Sequence, residues 1–142
     1  MKYIFSGCQN LKNITISNMN VPNLTKISSI FSGSNSLESI NISHFQASSL
    51  ESLSNIFNGL SSLVSINLTN FDASSSKSML KMFDSCSSLE SVDLINFNTP
   101  QVETMSYMFS GCKNLISVNL LNIVISGVDG SYVLFLQFIN FN

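Results

Sequence analysis

The chain has 142 residues, of which 44% are hydrophobic and only 10% are charged, and its formal net charge is −2. This length fits one domain, and the charged fraction lies far below the roughly 25% of an ordinary globular domain. The six Lys residues, the only Lys or Arg in the sequence, form no basic stripe, which excludes the electrostatic signature of nucleic-acid binding and disfavours attachment to anionic membranes.

The sequence also predicts no membrane insertion. Its longest apolar run, residues 133–141, is interrupted by Gln137 and Asn140 and is shorter than the roughly 20 residues that span a bilayer. The first residues, MKYIFSGC, contain one Lys and no extended apolar region, so they do not resemble a secretory signal.

A 26-residue period organises the chain. A Leu follows each repeat Phe by six residues, and aliphatic residues follow by nine and eleven, as at Leu37, Ile40 and Ile42. The Phe residues that mark the repeats are Phe5, Phe31, Phe57, Phe83 and Phe109. A fixed period of this length is typical of a solenoid. We therefore predict a single repeat domain over residues 1–142, with a degenerate C-terminal segment at 126–142.

Each repeat begins with a turn and continues into a strand. Gly and short polar residues after the repeat Phe, as in Phe31-Ser32-Gly33-Ser34, suit a tight turn. The alternation that follows favours a short strand with one buried face. The spacing predicts five parallel strands centred near Ile14 to Ile16, Ile40 to Ile42, Ile66 to Leu68, Val92 to Leu94 and Val118 to Leu120.

The last part of each repeat has a helical period. Val102, Met105, Met108 and Phe109 are spaced as the buried face of a short helix or 3₁₀ turn would be. Thr99-Pro100 resembles a helix N-cap followed by Pro at the first helical position. The pattern is weaker in the third repeat because Ser76 replaces the first apolar residue. The predicted fold is therefore an α/β solenoid with short helical returns.

The stretch Met105 to Leu120, MSYMFSGCKNLISVNL, resembles the BspA-like leucine-rich repeats of surface proteins. The resemblance covers about residues 1 to 125 and departs at Ser34 and Leu60, where those repeats have Cys. It implies a leucine-rich-repeat solenoid with a parallel sheet on the concave side. It also implies adhesion or binding at the cell surface or outside the cell, and it brings no active site.

The cysteines occupy one repeat position. Cys8, Cys86 and Cys112 each stand three residues after the repeat Phe, where Leu60 stands in the third repeat. This pattern favours a buried apolar ladder. Cys86 and Cys112 would lie on adjacent strands, about 5 Å apart, so a disulfide is a second interpretation. With one His and no Cys-x-x-Cys pair, no metal site is predicted.

No catalytic or cofactor-binding constellation emerges, so we expect a protein that is not an enzyme. His44 stands where Asn18, Asn70, Asn96 and Asn122 stand in other repeats, which indicates a structural or surface role. We expect the Asn side chains of this position to stack along the turn. Four N-glycosylation sequons begin at Asn13, Asn23, Asn41 and Asn67, a number that chance largely explains in a chain so rich in Asn, Ser and Thr.

Polar residues alternate with the buried residues of the strands and therefore face solvent. We interpret this face as a hydrogen-bonding platform for a protein or a glycan, since solenoids commonly bind along such surfaces. The alternative is polarity that serves solubility alone, in a structural spacer or a degenerate repeat fragment without a ligand. The predicted face consists of Ser39, Asn41, Ser43, Ser65, Asn67, Thr69, Ser91, Asp93, Ser117 and Asn119.

The ends of the repeat array lack recognisable caps. The first strand, Ile14 to Ile16, presents an unpaired edge, and the stretch 133–139 is apolar and uncharged. Unpaired edges and apolar β-prone stretches recruit other chains. We therefore expect the chain to self-associate, chiefly through its first strand.

Overall fold

The computed structural model of the chain is a β-solenoid of about four turns, and it describes residues 4–27, 29–119 and 121. Its five strands form one parallel sheet in sequence order, and each strand pairs with the residues 26 positions later, as Ile14 does with Ile40. The strands are β1 (Asn13–Thr15), β2 (Ser39–Asn41), β3 (Ser65–Asn67), β4 (Ser91–Asp93) and β5 (Ser117–Asn119).

This topology confirms the predicted parallel solenoid, with each strand beginning one residue earlier than expected. The central residue of β2, β3 and β4 is buried while its two neighbours are half-buried, as the alternation predicts. Leu120, the end of the predicted fifth strand, lies outside the described residues. So does the degenerate segment 126–142 with its apolar stretch.

Aromatic rings stack in two ladders through the core. The repeat Phe residues, from Phe5 to Phe109, stack with ring centroids between 5.2 and 5.8 Å apart. A second ladder joins Phe45, Phe71 and Phe97 at 5.2 and 5.5 Å. In each ladder, a ring inside the array stacks on the rings of both neighbouring coils, and the apolar face of each coil is buried by the next.

The predicted helical returns are wrong, because the described residues contain strands and turns but no helix. The return segments bond to the next coil instead of to themselves. The Leu53 N–H donates to the Ser78 carbonyl (2.9 Å), and the Asn55 N–H donates to the Leu80 carbonyl (3.0 Å). Backbone groups satisfied between coils are unavailable for a helical ladder.

Left-handed backbone positions form the corners of the coils. Three positions in every coil have positive φ, and all three recur along the array, as at His44 (φ 55), Asn55 (φ 58) and Gly59 (φ 77). A left-handed residue interrupts any helix. Gly111 also lies close to the preceding coil, since a Cβ there would be 3.2 Å from the Ser85 Cα.

Thr99 begins a turn instead of capping a helix. The Val102 N–H donates to the Thr99 carbonyl (3.3 Å), which closes a four-residue turn. The Thr99 Oγ1 is buried and has no hydrogen-bond partner within the described part of the chain. Ala47 and Ala73 hold the same position in earlier coils and are fully buried. The position therefore favours an apolar side chain.

The cysteine position joins neighbouring coils through hydrogen bonds. The Cys86 thiol donates to the Phe57 carbonyl and the Cys112 thiol donates to the Phe83 carbonyl, each at 3.1 Å. All three cysteines are free thiols, so the two neighbours form a ladder and not a disulfide, with Cys86 buried and Cys112 half-buried. Burial, with a smaller effect of Cys112, raises the pKa of Cys86 from 9.0 to about 12.

Buried serines make equivalent bonds where they replace apolar or thiol side chains. Ser34, which takes the cysteine position in the second repeat, donates its hydroxyl to the Phe5 carbonyl. Ser76 donates its hydroxyl to the Leu50 carbonyl in the preceding coil. Both side chains are fully buried, and pairing with a carbonyl offsets the cost of burying a hydroxyl. Ser76 therefore occupies the core position that an apolar residue holds in other repeats, although its polarity weakened the predicted pattern.

Replacing Thr99 with Val should stabilise the fold. The change keeps the shape of the side chain and removes a buried hydroxyl without a partner, a defect that costs about 1–3 kcal/mol. We expect the free energy of unfolding in a urea titration to rise by about 1 kcal/mol. The matched change Thr69→Val, at a half-buried position, should leave it nearly unchanged. A lower stability of Thr99→Val would show that the hydroxyl is satisfied.

Cys86 should resist alkylation in the folded protein. Only the thiolate reacts, and the raised pKa keeps the thiol protonated well above pH 9. In a Cys8→Ser/Cys112→Ser background, iodoacetamide at mildly alkaline pH should label Cys86 only after denaturant unfolds the chain, as mass spectrometry would reveal. Rapid labelling under native conditions would contradict the burial of this position.

Leu63→Ala should destabilise the domain by about 2–5 kcal/mol, because it leaves a cavity in the central repeat, where Leu63 is fully buried. Ser65→Ala, two residues away on the solvent face of β3, should change the free energy of unfolding by about 0.5 kcal/mol or less. Urea denaturation of both variants provides the comparison. Similar midpoints for the two would mean that the inner and outer faces are misassigned.

Candidate functional site

The outward side chains of the five strands line one shallow groove of about 440 Å³ that crosses the sheet. Eight of the ten residues predicted for the binding face lie along it, while Ser43 and Thr69 are not among its lining residues. Thr15 extends the row to β1. The eight are Ser39, Asn41, Ser65, Asn67, Ser91, Asp93, Ser117 and Asn119.

The third residue of each strand from β2 onward is held by a local turn. The Asn41 Oδ1 accepts the Ser43 N–H (3.1 Å), and the Asn67 Oδ1 accepts the Thr69 N–H (2.9 Å). The same bond recurs from the Ile95 N–H to Asp93 (3.1 Å). This Asx-turn is typical of Asn and Asp. Ser43 and Thr69 thus serve the site through their backbone, a role that strand alternation does not predict.

These turns fix the orientation of the side-chain Nδ2 groups of Asn41 and Asn67. With Oδ1 occupied, the Nδ2 donors of Asn41 and Asn67 have no hydrogen-bond partner within the described residues. Consecutive strands lie about 4.8 Å apart, so the groove presents amide donors at that spacing, followed by the carboxylate of Asp93. At the β1 end the Ser39 hydroxyl instead donates to the Asn13 Oδ1 (2.6 Å), so this part of the row is satisfied internally.

Charge and apolar surface are unevenly distributed around the groove. Asp93 is the one charged residue among those that line it. Lys12 and Glu38 form an exposed ion pair just before β1 and β2, at 2.8 Å. Towards β5 two apolar residues flank the strands, with Ile116 74% exposed and Leu121 60% exposed. Sequence reasoning missed Ile116, although it stands in the repeat position of Lys12 and Glu38.

His44 belongs to a corner and not to the groove. Its Nδ1 lies 3.3 Å from the Asn70 Nδ2, and the Asn96 Nδ2 donates to the Asn70 Oδ1 (2.9 Å). The expected stacking is confirmed for Asn70 and Asn96, whereas the Asn18 Nδ2 donates to the Oγ of its neighbour Ser17 (3.5 Å). The left-handed backbone explains why Asn dominates at this position. Asn122, the last member of the predicted stack, lies outside the described residues.

The described residues contain no group of three or more His, Cys, Asp or Glu side chains that could hold a metal ion. Within the same part of the chain, no helix is long and apolar enough to cross a membrane.

Comparisons with known proteins place the repeats in a family. A family model described as "Mycoplasma protein of unknown function, DUF285" matches residues 1–66 and 38–142. Comparison with curated proteins and with solved structures finds no match. The two matched ranges overlap and together span the whole sequence, as expected of a repeat that aligns in more than one register. The chain therefore belongs to the DUF285 family, whose function is unknown.

Proposed function

We propose that this chain is a non-enzymatic binding module that contacts a protein or a glycan through the groove across its strands. The observation that carries the proposal is the Asx-turn on successive strands, which fixes Asn41 and Asn67 with their Nδ2 donors directed away from the backbone. Side chains already held in one orientation lose little entropy when they bind, and this preorganisation favours affinity.

The uneven surface of the groove supports recognition over simple solubility. A solubilising face needs no order, whereas here amide donors, the Asp93 carboxylate and the exposed apolar Ile116 follow one another along the sheet. Apolar surface beside fixed polar groups is the usual composition of a recognition site. The low charge of the face favours a neutral or weakly polar ligand over a strongly charged one.

The cellular setting of the proposal rests on the repeat resemblance. BspA-like leucine-rich repeats belong to surface proteins, and the parallel solenoid with Phe and Leu in fixed register is compatible with membership. We therefore propose adhesion at a cell surface as the context in which the groove acts. The competing proposal is a structural spacer, in which the same polarity keeps an extended array soluble and no ligand binds.

Asn41→Asp should separate recognition from folding, because the residues in register beside Asn41, Thr15 and Asn67, are uncharged. Asp93 shows that the turn accepts an Asp side chain, because its Oδ1 receives the Ile95 N–H in the same way. The variant therefore keeps the turn and replaces the outward donor with an acceptor. We expect unchanged stability and at least a tenfold loss of affinity, the cost of one charged or unpaired group at an interface.

The measurement is binding of purified protein to a glycan array and to a panel of immobilised cell-surface and matrix proteins, followed by titration of any ligand found. Asn114→Asp makes the same chemical change at an exposed turn residue outside the groove and should bind as wild type does. Equal affinity of all three proteins would place the contact elsewhere. Failure of wild type to bind either panel would favour the spacer.

A further inference from the structure

The β1 end of the solenoid has an incompletely filled core. A cavity of about 230 Å³ lies there, and each of the described side chains that line it is apolar. The second aromatic ladder stops at Phe45, since Met19 takes the position that Phe45 and Phe71 hold in later coils. Met19 is 36% exposed and Ile4 is 50% exposed. In the later described coils the equivalent positions are covered by the preceding coil and are buried.

The backbone of β1 is unpaired on the same side. In the second coil the Asn41 carbonyl accepts the Ile16 N–H (2.8 Å), and the Ser43 carbonyl accepts the Asn18 N–H (3.1 Å). By the 26-residue register the equivalent groups of the first coil are the carbonyls of Thr15 and Ser17. β1 pairs only with β2 among the described strands, so no described strand lies beside these carbonyls.

We propose that the β1 end binds the β1 end of a second copy of this chain, in a two-fold dimer with antiparallel pairing between the two β1 strands. In a parallel ladder the N–H and carbonyl of one residue point to the same neighbour. Thr15 therefore directs both a donor and an acceptor outward. A residue of that kind pairs with itself across a two-fold axis, as an isologous interface requires.

The side chains fit the same symmetry. With Thr15 on the axis, Ile14 of one copy stands opposite Ile16 of the other, and both belong to the buried face of the strand. The two apolar cavities then meet and close each other from water, which supplies the driving force. Lys12 stands opposite Asn18, so no like charges meet, and the usual protection of an edge by charge is missing at Asn13, Thr15 and Ser17.

The cavity and the edge thus continue an interface that the molecule already uses at every coil boundary. Each internal boundary joins one strand to the next by backbone hydrogen bonds and covers one apolar layer with another. A second copy supplies both elements at once, whereas a small apolar ligand would fill the cavity and leave the edge unpaired. This argument is independent of any ligand in the groove.

Sedimentation velocity and light scattering of the 142-residue chain, from low to high micromolar concentration, test the proposal. Wild type should form a dimer. Thr15→Pro removes the outward N–H, as prolines on edge strands do, and Met19→Lys places a charge at the cavity mouth. Each should weaken dimerisation at least tenfold. Ile116→Lys, a matched change at a residue that is 74% exposed near β5, should dimerise as wild type does.

Circular dichroism tests whether each variant is folded. If Thr15→Pro fails to fold, the dimerisation of Met19→Lys is the test of the proposal. Three outcomes would overturn the proposal. The first is a monomer at every concentration. The second is a dimer that Met19→Lys leaves intact. The third is a mass that grows beyond the dimer with concentration, because that growth indicates head-to-tail assembly and not a closed two-fold pair.

Discussion

The interaction on which this structure depends is the contact between residues 26 positions apart in neighbouring coils. A single coil of this sequence has a three-residue strand and no helix, so it buries almost nothing by itself. Its strand, its Phe ring and its buried hydroxyl or thiol all find their partners in an adjacent coil. Stability is therefore shared along the array, and the central coils, covered on both sides, are its firmest part.

This dependence explains the residue choices that composition alone leaves puzzling. Low charge and abundant Ser, Asn and Thr suit a fold in which identical positions lie about 4.8 Å apart, because like charges stacked at that distance would repel. Uncharged Asn side chains instead donate to the side chain at the same position of the preceding coil, as Asn96 does to Asn70 and Asn98 does to Asp72. Buried Ser34 and Ser76 remain compatible with the core because a carbonyl of the preceding coil lies within reach.

The same repetition shapes the candidate site. Because each strand adds one outward polar pair in register, a groove forms across the sheet without any special loop. Differences between repeats then make the chemistry of the groove vary along its length. Asp93 supplies a charge, the exposed Ile116 supplies apolar surface beside the groove, and the Ser39 hydroxyl bonds to Asn13 at the β1 end. A binding function of this kind would evolve by changing single residues on an unchanged scaffold.

By itself, the sequence determined the period, the parallel register, the buried ladders and the outward row from Ser39 to Asn119, because each follows from strict 26-residue spacing and strand alternation. Tertiary structure decided the return segments. Their apolar spacing of three fits a helix, yet hydrogen bonds to the next coil and left-handed corners such as Asn55 prevailed. It also decided that Ser43 and Thr69 act through their backbone, and that Thr99 is buried without a partner. Local patterns report which residues face inward, whereas only the packed coils determine where each backbone hydrogen bond goes.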